Sequence, residues 1–205
     1  MTEDEAQAWL RAEFDVSRET WVRLELFGAL LRDEMQRQNL ISKASADHLW
    51  ARHMVDSAQL LRYAPKPDDD KIWLDLGTGA GFPGIVIAIL SSYQVQMVES
   101  RKRRTEFLNH VVDKTGIGGN ATVLADRLEN VETRPVDVIS ARAFAPLDRL
   151  LALSHRFCTK NTVWLLPKGK NAVRELKGLS PKRQKMFHVE HSLTDPDAGI
   201  LVGKG

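Results

Sequence analysis

The sequence predicts an α/β fold in which helices cover both faces of a mostly parallel, seven-stranded sheet. After residue 70, short apolar segments typical of strands alternate with helical patterns, which favours parallel pairing. Before residue 65 the patterns are helical. Between the two parts lie two prolines and three acids that cannot continue a helix, Pro65-Lys66-Pro67-Asp68-Asp69-Asp70. We therefore expect a helical extension over residues 1–70, packed on a main domain over residues 71–205.

Two helices are predicted in the extension. Ser17 can cap the first, because its hydroxyl can accept a free backbone N–H of the first turn. Apolar residues then recur at helical spacing through Trp21, Leu24, Phe27, Gly28, Leu31 and Met35. The second helix is expected over residues 47–62. The spacing i, i+4 and i+8 places His48, Arg52 and Asp56 on one polar stripe of this helix.

The main domain is expected to continue as strands and helices in turn. Strands are predicted at 72–76, 94–99, 121–125, 136–140 and 162–166. Helices are predicted to start near Pro83 and to cover 101–114, 147–155 and 171–179. The last two strands, at 185–190 and 199–202, are joined by Asp195-Pro196-Asp197, which predicts an antiparallel hairpin at one edge of the sheet.

The composition is that of an ordinary globular domain, with 43% hydrophobic and 27% charged residues among 205. The single cysteine, Cys158, excludes an internal disulfide and any paired-cysteine metal motif. His188 and His191 would lie on opposite faces of a strand, so no metal site is expected. An acidic beginning and the lack of a long apolar run predict a cytoplasmic protein with no membrane contact.

Charge is distributed unevenly along the chain. Residues 1–70 hold 9 basic and 14 acidic side chains, whereas residues 71–205 hold 20 basic and 13 acidic side chains. Residues 142–185 alone hold 11 basic and 2 acidic side chains. Such a stretch is basic enough for a nucleic-acid surface, although a solvated, lysine-rich face explains the composition equally well.

The glycine-rich segment after the first predicted strand is the central motif, and it reads Leu74-Asp75-Leu76-Gly77-Thr78-Gly79-Ala80-Gly81-Phe82-Pro83-Gly84. Glycines at a strand-to-helix turn allow positive φ and let the backbone approach a ligand. Gly79-x-Gly81-x-x-Gly84 fits a dinucleotide-binding fingerprint, which keeps a nicotinamide oxidoreductase open. Asp75-x-Gly77-x-Gly79 fits the first motif of S-adenosylmethionine-dependent methyltransferases. The second interpretation is favoured, because it accounts for Asp75, which can reach the ligand or order the loop, and for the preceding helices. Structural glycines or another ligand remain a third interpretation.

Two further segments follow strands and suit either cofactor. Glu99 ends the second strand, where a carboxylate can accept hydrogen bonds from both ribose hydroxyls. Asp126, Leu128 and Glu129 follow the third strand, where a loop in this architecture covers the adenine. An exposed acid and an ordinary loop are the plain alternatives.

Five ordered segments resemble the glucose-inhibited division protein B family, whose members are bacterial small-subunit rRNA methyltransferases acting on guanine N7. They are Gln38–Ser42, Arg52–Ser57, Leu74–Gly84, Ser140–Ala145 and Leu166–Lys170. The resemblance implies a class I, Rossmann-like methyltransferase using S-adenosylmethionine. It places Gly77 and Phe82 at the cofactor, Leu128 and Glu129 at its adenine end, and Arg142 at the end of the fourth strand, facing cofactor and substrate.

The chemistry of that reaction needs no general base, because N7 of guanine carries a free lone pair. Arg142 or Lys168 could instead donate to guanine O6. The resemblance implies 16S rRNA as the partner, within a small-subunit particle. We expect a monomer. The residues expected to contact RNA are Asn39, His53, Arg101, Arg103, Arg104, Lys168 and Lys170. For His53 the favoured alternative is a structural role, in which it orders the helical segment on the cofactor domain. A non-catalytic RNA-binding module on the same fold is the remaining alternative.

Overall fold

A seven-stranded sheet forms the centre of the structure. In this computed structural model, which describes residues 1–205, the strands lie in the order β3-β2-β1-β4-β5-β7-β6. They are β1 (Ile72–Leu76), β2 (Gln94–Val98), β3 (Ala121–Leu124), β4 (Val138–Ala141), β5 (Val163–Gly169), β6 (Phe187–His191) and β7 (Gly199–Lys204). Strand β7 alone runs opposite to the other six strands, so it pairs antiparallel with both β5 and β6. The predicted sheet, mostly parallel with an antiparallel hairpin at one edge, is confirmed.

The extension is helical and shares the core of the sheet domain. It contains α1 (Glu3–Phe14), α2 (Arg18–Glu34), α3 (Lys43–Ala46), a π turn (Trp50–Val55), α4 (Asp56–Ala58) and a 3-10 turn (Gln59–Arg62). Ser17 caps α2 as predicted, because its hydroxyl accepts the N–H of Thr20 at 3.2 Å. Phe27 and Met54 are fully buried in the apolar cluster that also contains Trp73 of β1. The division into extension and main domain stays a prediction, since one core spans both.

The π turn overturns one prediction for the extension. His48 and Arg52 are exposed, but the Asp56 side chain is 20% exposed and turns inward. A π turn has more residues per rotation than an α-helix, so a residue eight positions after His48 no longer lies on its face. Arg52 instead forms an ion pair with Asp195 at 3.1 Å.

Five helices belong to the sheet domain: α5 (Gly84–Leu90), α6 (Lys102–Thr115), α7 (Leu147–Ser154), α8 (Ala172–Lys177) and α9 (Pro181–Gln184). The sequence did not predict α9. It begins at Pro181, whose missing N–H and fixed φ suit the first position of a helix. No helix in the structure is both long and apolar enough to cross a membrane.

The strand order creates a crevice between β1 and β4. From β1 the chain proceeds to β2 on one side and reaches β4 on the other, and such switch points are where open α/β sheets bind ligands. The register pairs Leu76 with Ala141. Gly77 and Arg142 are therefore the first residues beyond the two strands, side by side at the carboxyl edge of the sheet.

Candidate active site

The glycine loop connects β1 to α5 through three left-handed residues. Gly77, Gly79 and Gly81 have φ values of 64°, 61° and 97°. A Cβ at Gly81 would lie 2.7 Å from the Ile85 side chain, so this glycine also permits close packing of loop and helix. The loop is thus held in a conformation that other residues adopt only with strain.

Asp75, at a buried position of β1, holds this loop in place through hydrogen bonds. Its Oδ2 accepts the backbone N–H of Gly84 at 3.0 Å, and its Oδ1 accepts the Ser140 hydroxyl at 2.7 Å. Burial raises the pKa of the Asp75 carboxyl. Because the side chain is fully buried, the prediction that Asp75 contacts the cofactor directly is corrected to a role in loop order.

A cavity of about 460 Å³ opens beyond the ends of β1, β2 and β3. It brings together five of the predicted cofactor-binding residues, Gly77, Glu99, Asp126, Leu128 and Glu129. We call it the cofactor cavity. Gly79 lies outside its lining, near the Arg104 guanidinium, and Phe82 is buried behind the loop. A direct cofactor contact predicted for Phe82 is therefore not what the structure shows.

Glu99 is fixed at the end of β2. Its Oε1 accepts the backbone N–H of Arg101 at 2.9 Å, and its Oε2 lies 3.6 Å from the guanidinium of Arg104. With only 6% of the residue exposed, the carboxylate is held within the cavity wall. A fixed pair of acceptor oxygens is the group that vicinal ribose hydroxyls require.

The opposite wall is formed by the loop after β3. The Asp126 carboxylate accepts from the Asn130 amide and from the backbone of Arg127, and these hydrogen bonds lower the pKa of Asp126. Leu128 contributes an apolar surface and is only 2% exposed. Together with the cradle at Gly77, these groups fit the ribose and adenine of S-adenosylmethionine.

Phe144 closes the remaining side and was not singled out from the sequence. A Cβ at Gly77 would lie 2.5 Å from Cδ2 of Phe144, so the ring packs directly on the glycine. Phe144 belongs to a short wall, residues 143–146, that lines the cofactor cavity and a second cavity of about 780 Å³. Ala143 in this wall has a φ of 53°. The only earlier sign of its role was its place in the motif Ser140–Ala145.

The second cavity, which we call the substrate cavity, contains both predicted guanine contacts, Arg142 and Lys168. Lys168 is held by an ion pair with Glu175, with Nζ to Oε2 at 2.9 Å, and its side chain is 6% exposed. Arg142 is 25% exposed. The structure thus brings two cations to the ends of β4 and β5, next to the cofactor cavity.

Arg142 also contacts the extension. Its Nη1 lies 2.9 Å from His53 Nδ1 and 3.9 Å from Asp56 Oδ2, and its guanidinium lies 5.2 Å from the centre of the Phe82 ring. His53 is 7% exposed. The π turn directs the imidazole inward to Arg142, which suits the structural interpretation of His53 better than contact with RNA.

Four other predicted RNA contacts meet on one surface. A polar cavity of about 390 Å³, which we call the basic cavity, is lined by Gln38, Asn39, Arg101, Lys102, Arg103 and Arg104. Arg101 and Arg104 also line the cofactor cavity, so the two adjoin. Lys170 lies elsewhere, exposed and paired with Asp197 at 2.8 Å. No group of three or more His, Cys, Asp or Glu side chains is arranged to hold a metal ion.

The fold is that of the class I, Rossmann-like methyltransferases. The structure is similar to that of a mutant of MtNAS in complex with S-adenosylmethionine, with a TM-score of 0.55 and 17% identity over 90% of this chain and 75% of that one. It is also similar to an rRNA methylase from Streptococcus thermophilus, with a TM-score of 0.53 and 20% identity over 72% of this chain and 93% of that one.

The sequence comparison is more specific. The chain belongs to the rRNA small subunit methyltransferase G family (GidB), whose family model matches residues 22–195. It is 50% identical to ribosomal RNA small subunit methyltransferase G of Novosphingobium aromaticivorans over all of this chain and 89% of that protein. The protein of the same name from Zymomonas mobilis is 48% identical over 98% of this chain and 93% of its own length. The resemblance is confirmed, and it decides between the two cofactors that the glycine loop left open.

Proposed function

We propose that the protein transfers the methyl group of S-adenosylmethionine to N7 of one guanine in 16S rRNA, acting as a cytoplasmic monomer on a small-subunit particle. The main support for this proposal is the wall at residues 143–146, which lines both the cofactor cavity and the substrate cavity. The two cavities adjoin at these residues, so a methyl donor in one and a base in the other would lie next to each other. Relatives named ribosomal RNA small subunit methyltransferase G support the choice of RNA.

The reaction requires positioning more than proton transfer. Bound S-adenosylmethionine would supply an electrophilic methyl group on a positively charged sulfur. N7 of guanine carries a lone pair, so no residue has to remove a proton first. The protein must then hold the base in line with the methyl carbon, and such positioning contributes up to about 7–11 kcal/mol.

Arg142 and Lys168 are suited to recognise the guanine. Arginine and lysine commonly donate to O6 of guanine. A cation directly beside N7 would oppose the positive charge that methylation creates there, so O6 or a phosphate is the better contact. Glu175 partly neutralises Lys168 at 2.9 Å, which moderates this repulsion. Arg142 is left as the less compensated cation, since Asp56 is 3.9 Å away.

The basic cavity extends the substrate-binding surface along the outside of the molecule. It adjoins the cofactor cavity through Arg101 and Arg104, and its lining contains no hydrophobic residue. Cations at the start of α6 oppose the helix dipole, so a phosphate contact would compensate them. An RNA strand entering the substrate cavity could run across this surface.

The decisive experiment offers labelled S-adenosylmethionine with naked 16S rRNA, small-subunit particles or intact ribosomes, and maps the modified base. We expect one N7-methylated guanine, with particles the best substrate. Methylation of another atom or base would contradict the proposal. RNA binding with no transfer to any of the three would instead indicate a non-catalytic RNA-binding module.

A further inference from the structure

Three parts of the chain meet around the guanidinium of Arg142: the extension, the glycine loop and the end of β4. We infer that His53 and Asp56 of the extension are positioning residues for Arg142, so that the extension completes the methyl-transfer site. The inference rests on the function proposed above, in which Arg142 contacts the guanine. It gives the residues of the motif Arg52–Ser57 a role other than RNA contact.

In the hydrogen bond between His53 and Arg142, only Arg142 can be the donor. A guanidinium donates hydrogen bonds and accepts none, so His53 Nδ1 must be the acceptor at 2.9 Å. The imidazole is therefore neutral, with its proton on Nε2. Burial, followed by the positive charges of Arg142 and Arg52, lowers the pKa of His53 to about 3, which keeps the ring neutral at ordinary pH.

Asp56 is itself fixed by two other elements. Its Oδ1 accepts from the Gln59 amide at 2.9 Å and from the Thr194 hydroxyl at 3.0 Å. The second oxygen, Oδ2, faces Arg142 at 3.9 Å. Thr194 belongs to the turn between β6 and β7, so the hairpin at the sheet edge holds Asp56 in place. A carboxylate held in this way provides a fixed counter-charge for the guanidinium.

Phe82 connects this cluster to the glycine loop. Its ring lies 4.9 Å from the His53 ring at an angle of 30°, and the guanidinium of Arg142 lies above it at 5.2 Å. The imidazole, the carboxylate and the aromatic face thus all lie close to Arg142, and none of the three lines the substrate cavity. Without them, a long and flexible side chain would sample several rotamers, and few of these would place its donors correctly.

A double-mutant cycle tests the inference. We expect His53→Phe, which keeps the ring but removes the acceptor, to lower single-turnover methyl transfer by roughly tenfold to a hundredfold. The Kd for S-adenosylhomocysteine should change less than about twofold. In an Arg142→Ala background the same substitution should change the rate less than about twofold, because its effect acts through Arg142. His53→Asn, which places an amide oxygen near the former Nδ1, should restore part of the rate.

His48→Phe is the matched control, because His48 is exposed on the same segment and should leave the rate unchanged. Equal losses from His53→Phe in both backgrounds would overturn the inference, since they would indicate a purely structural role. Nitrogen NMR of the histidines gives a readout independent of activity. It should show His53 with an unprotonated Nδ1 at neutral pH, and a protonated Nδ1 would also overturn the inference. If wild-type protein transfers no methyl group to RNA, the proposed function fails, and the NMR result still tests the geometry.

Discussion

Asp75 and Gly84 are joined by a buried hydrogen bond, in which the carboxylate Oδ2 accepts the backbone N–H at the start of α5. The distance from the Gly84 nitrogen to Asp75 Oδ2 is 3.0 Å. The other oxygen accepts from Ser140, whose hydroxyl in turn accepts the Trp73 indole N–H at 2.8 Å. One carboxylate therefore connects β1, β4 and the end of the glycine loop across the switch point of the sheet.

Asp75→Asn should destabilise the protein and weaken cofactor binding. Both donors point at acceptor oxygens, so the new amide NH₂ leaves one buried group without a partner. The expected loss is about 1–3 kcal/mol in the free energy of unfolding, measured in urea. Binding of S-adenosylhomocysteine should weaken in calorimetry. Asp113→Asn, at an exposed position of α6, is the control and should stay within about 0.5 kcal/mol of wild type.

Gly77→Ala should abolish or strongly weaken cofactor binding. The residue has a φ of 64°, and the added methyl group would lie 2.5 Å from the Phe144 ring. The left-handed conformation costs about 1–3 kcal/mol for a residue other than glycine, and the ring must also move. Gly118→Ala is the matched control, since its nearest atom would be 3.8 Å away. Similar affinities for the two variants would contradict the assignment of Gly77 to the cofactor cavity.

Glu99→Gln should reduce the affinity for S-adenosylhomocysteine by roughly tenfold, because a charged acceptor is replaced by a neutral group with one acceptor oxygen. Glu99 is held toward the cavity by the backbone of Arg101. Calorimetric titration measures the change. Glu132→Gln removes a carboxylate that is exposed and outside the cavity lining, and it should leave the affinity unchanged. Unaltered binding by Glu99→Gln would show that the carboxylate does not contact the ribose.

The cofactor cavity could be predicted largely from local patterns. The sequence directly shows the spacing of the glycines, Glu99 at the end of one strand and Leu128 after the end of another strand. Parallel strands bring their carboxyl ends to one edge, so residues far apart in sequence meet there. Phe144 could not be placed in this way. Its position against Gly77 depends on the left-handed Ala143, which no residue preference indicates.

The extension shows the limit of helical periodicity. An ideal α-helix over residues 47–62 places Asp56 on the exposed face with His48. The π turn changes that face, and its position depends on tertiary packing around Arg142 rather than on any local signal. The sequence left His53 between RNA contact and a structural role, and the structure pairs it with the half-buried Arg142. The motif was noticed correctly, but its partner lies 89 positions along the chain.

Acid should destabilise the wild-type protein through His53. Its pKa is lowered to about 3 in the folded state, from about 6.5 for an unperturbed histidine. His53 therefore does not lower the free energy of unfolding above pH 6.5. As the pH falls from 6.5 toward 3, the free energy of unfolding decreases, because the unfolded chain binds a proton that the folded chain excludes. Between pH 7 and pH 5 the loss from this group amounts to about 2 kcal/mol. In urea unfolding, the loss in the free energy of unfolding between pH 7 and pH 5 should be smaller for His53→Asn than for wild type by that amount.

RNA binding should depend on salt through the basic cavity. Lys102 is the first residue of α6, and its side chain is 88% exposed. If it contacts a phosphate, Lys102→Gln should lower affinity uniformly across RNA sequences and reduce the slope of log K against log salt by about 0.7–0.9. Arg18→Gln is a close control, because Arg18 is the exposed first residue of α2 and its loss has a similar effect on the helix dipole. Filter binding at several salt concentrations measures both slopes. An equal change in the two variants would mean that charge alone, and not the basic cavity, determines the salt dependence.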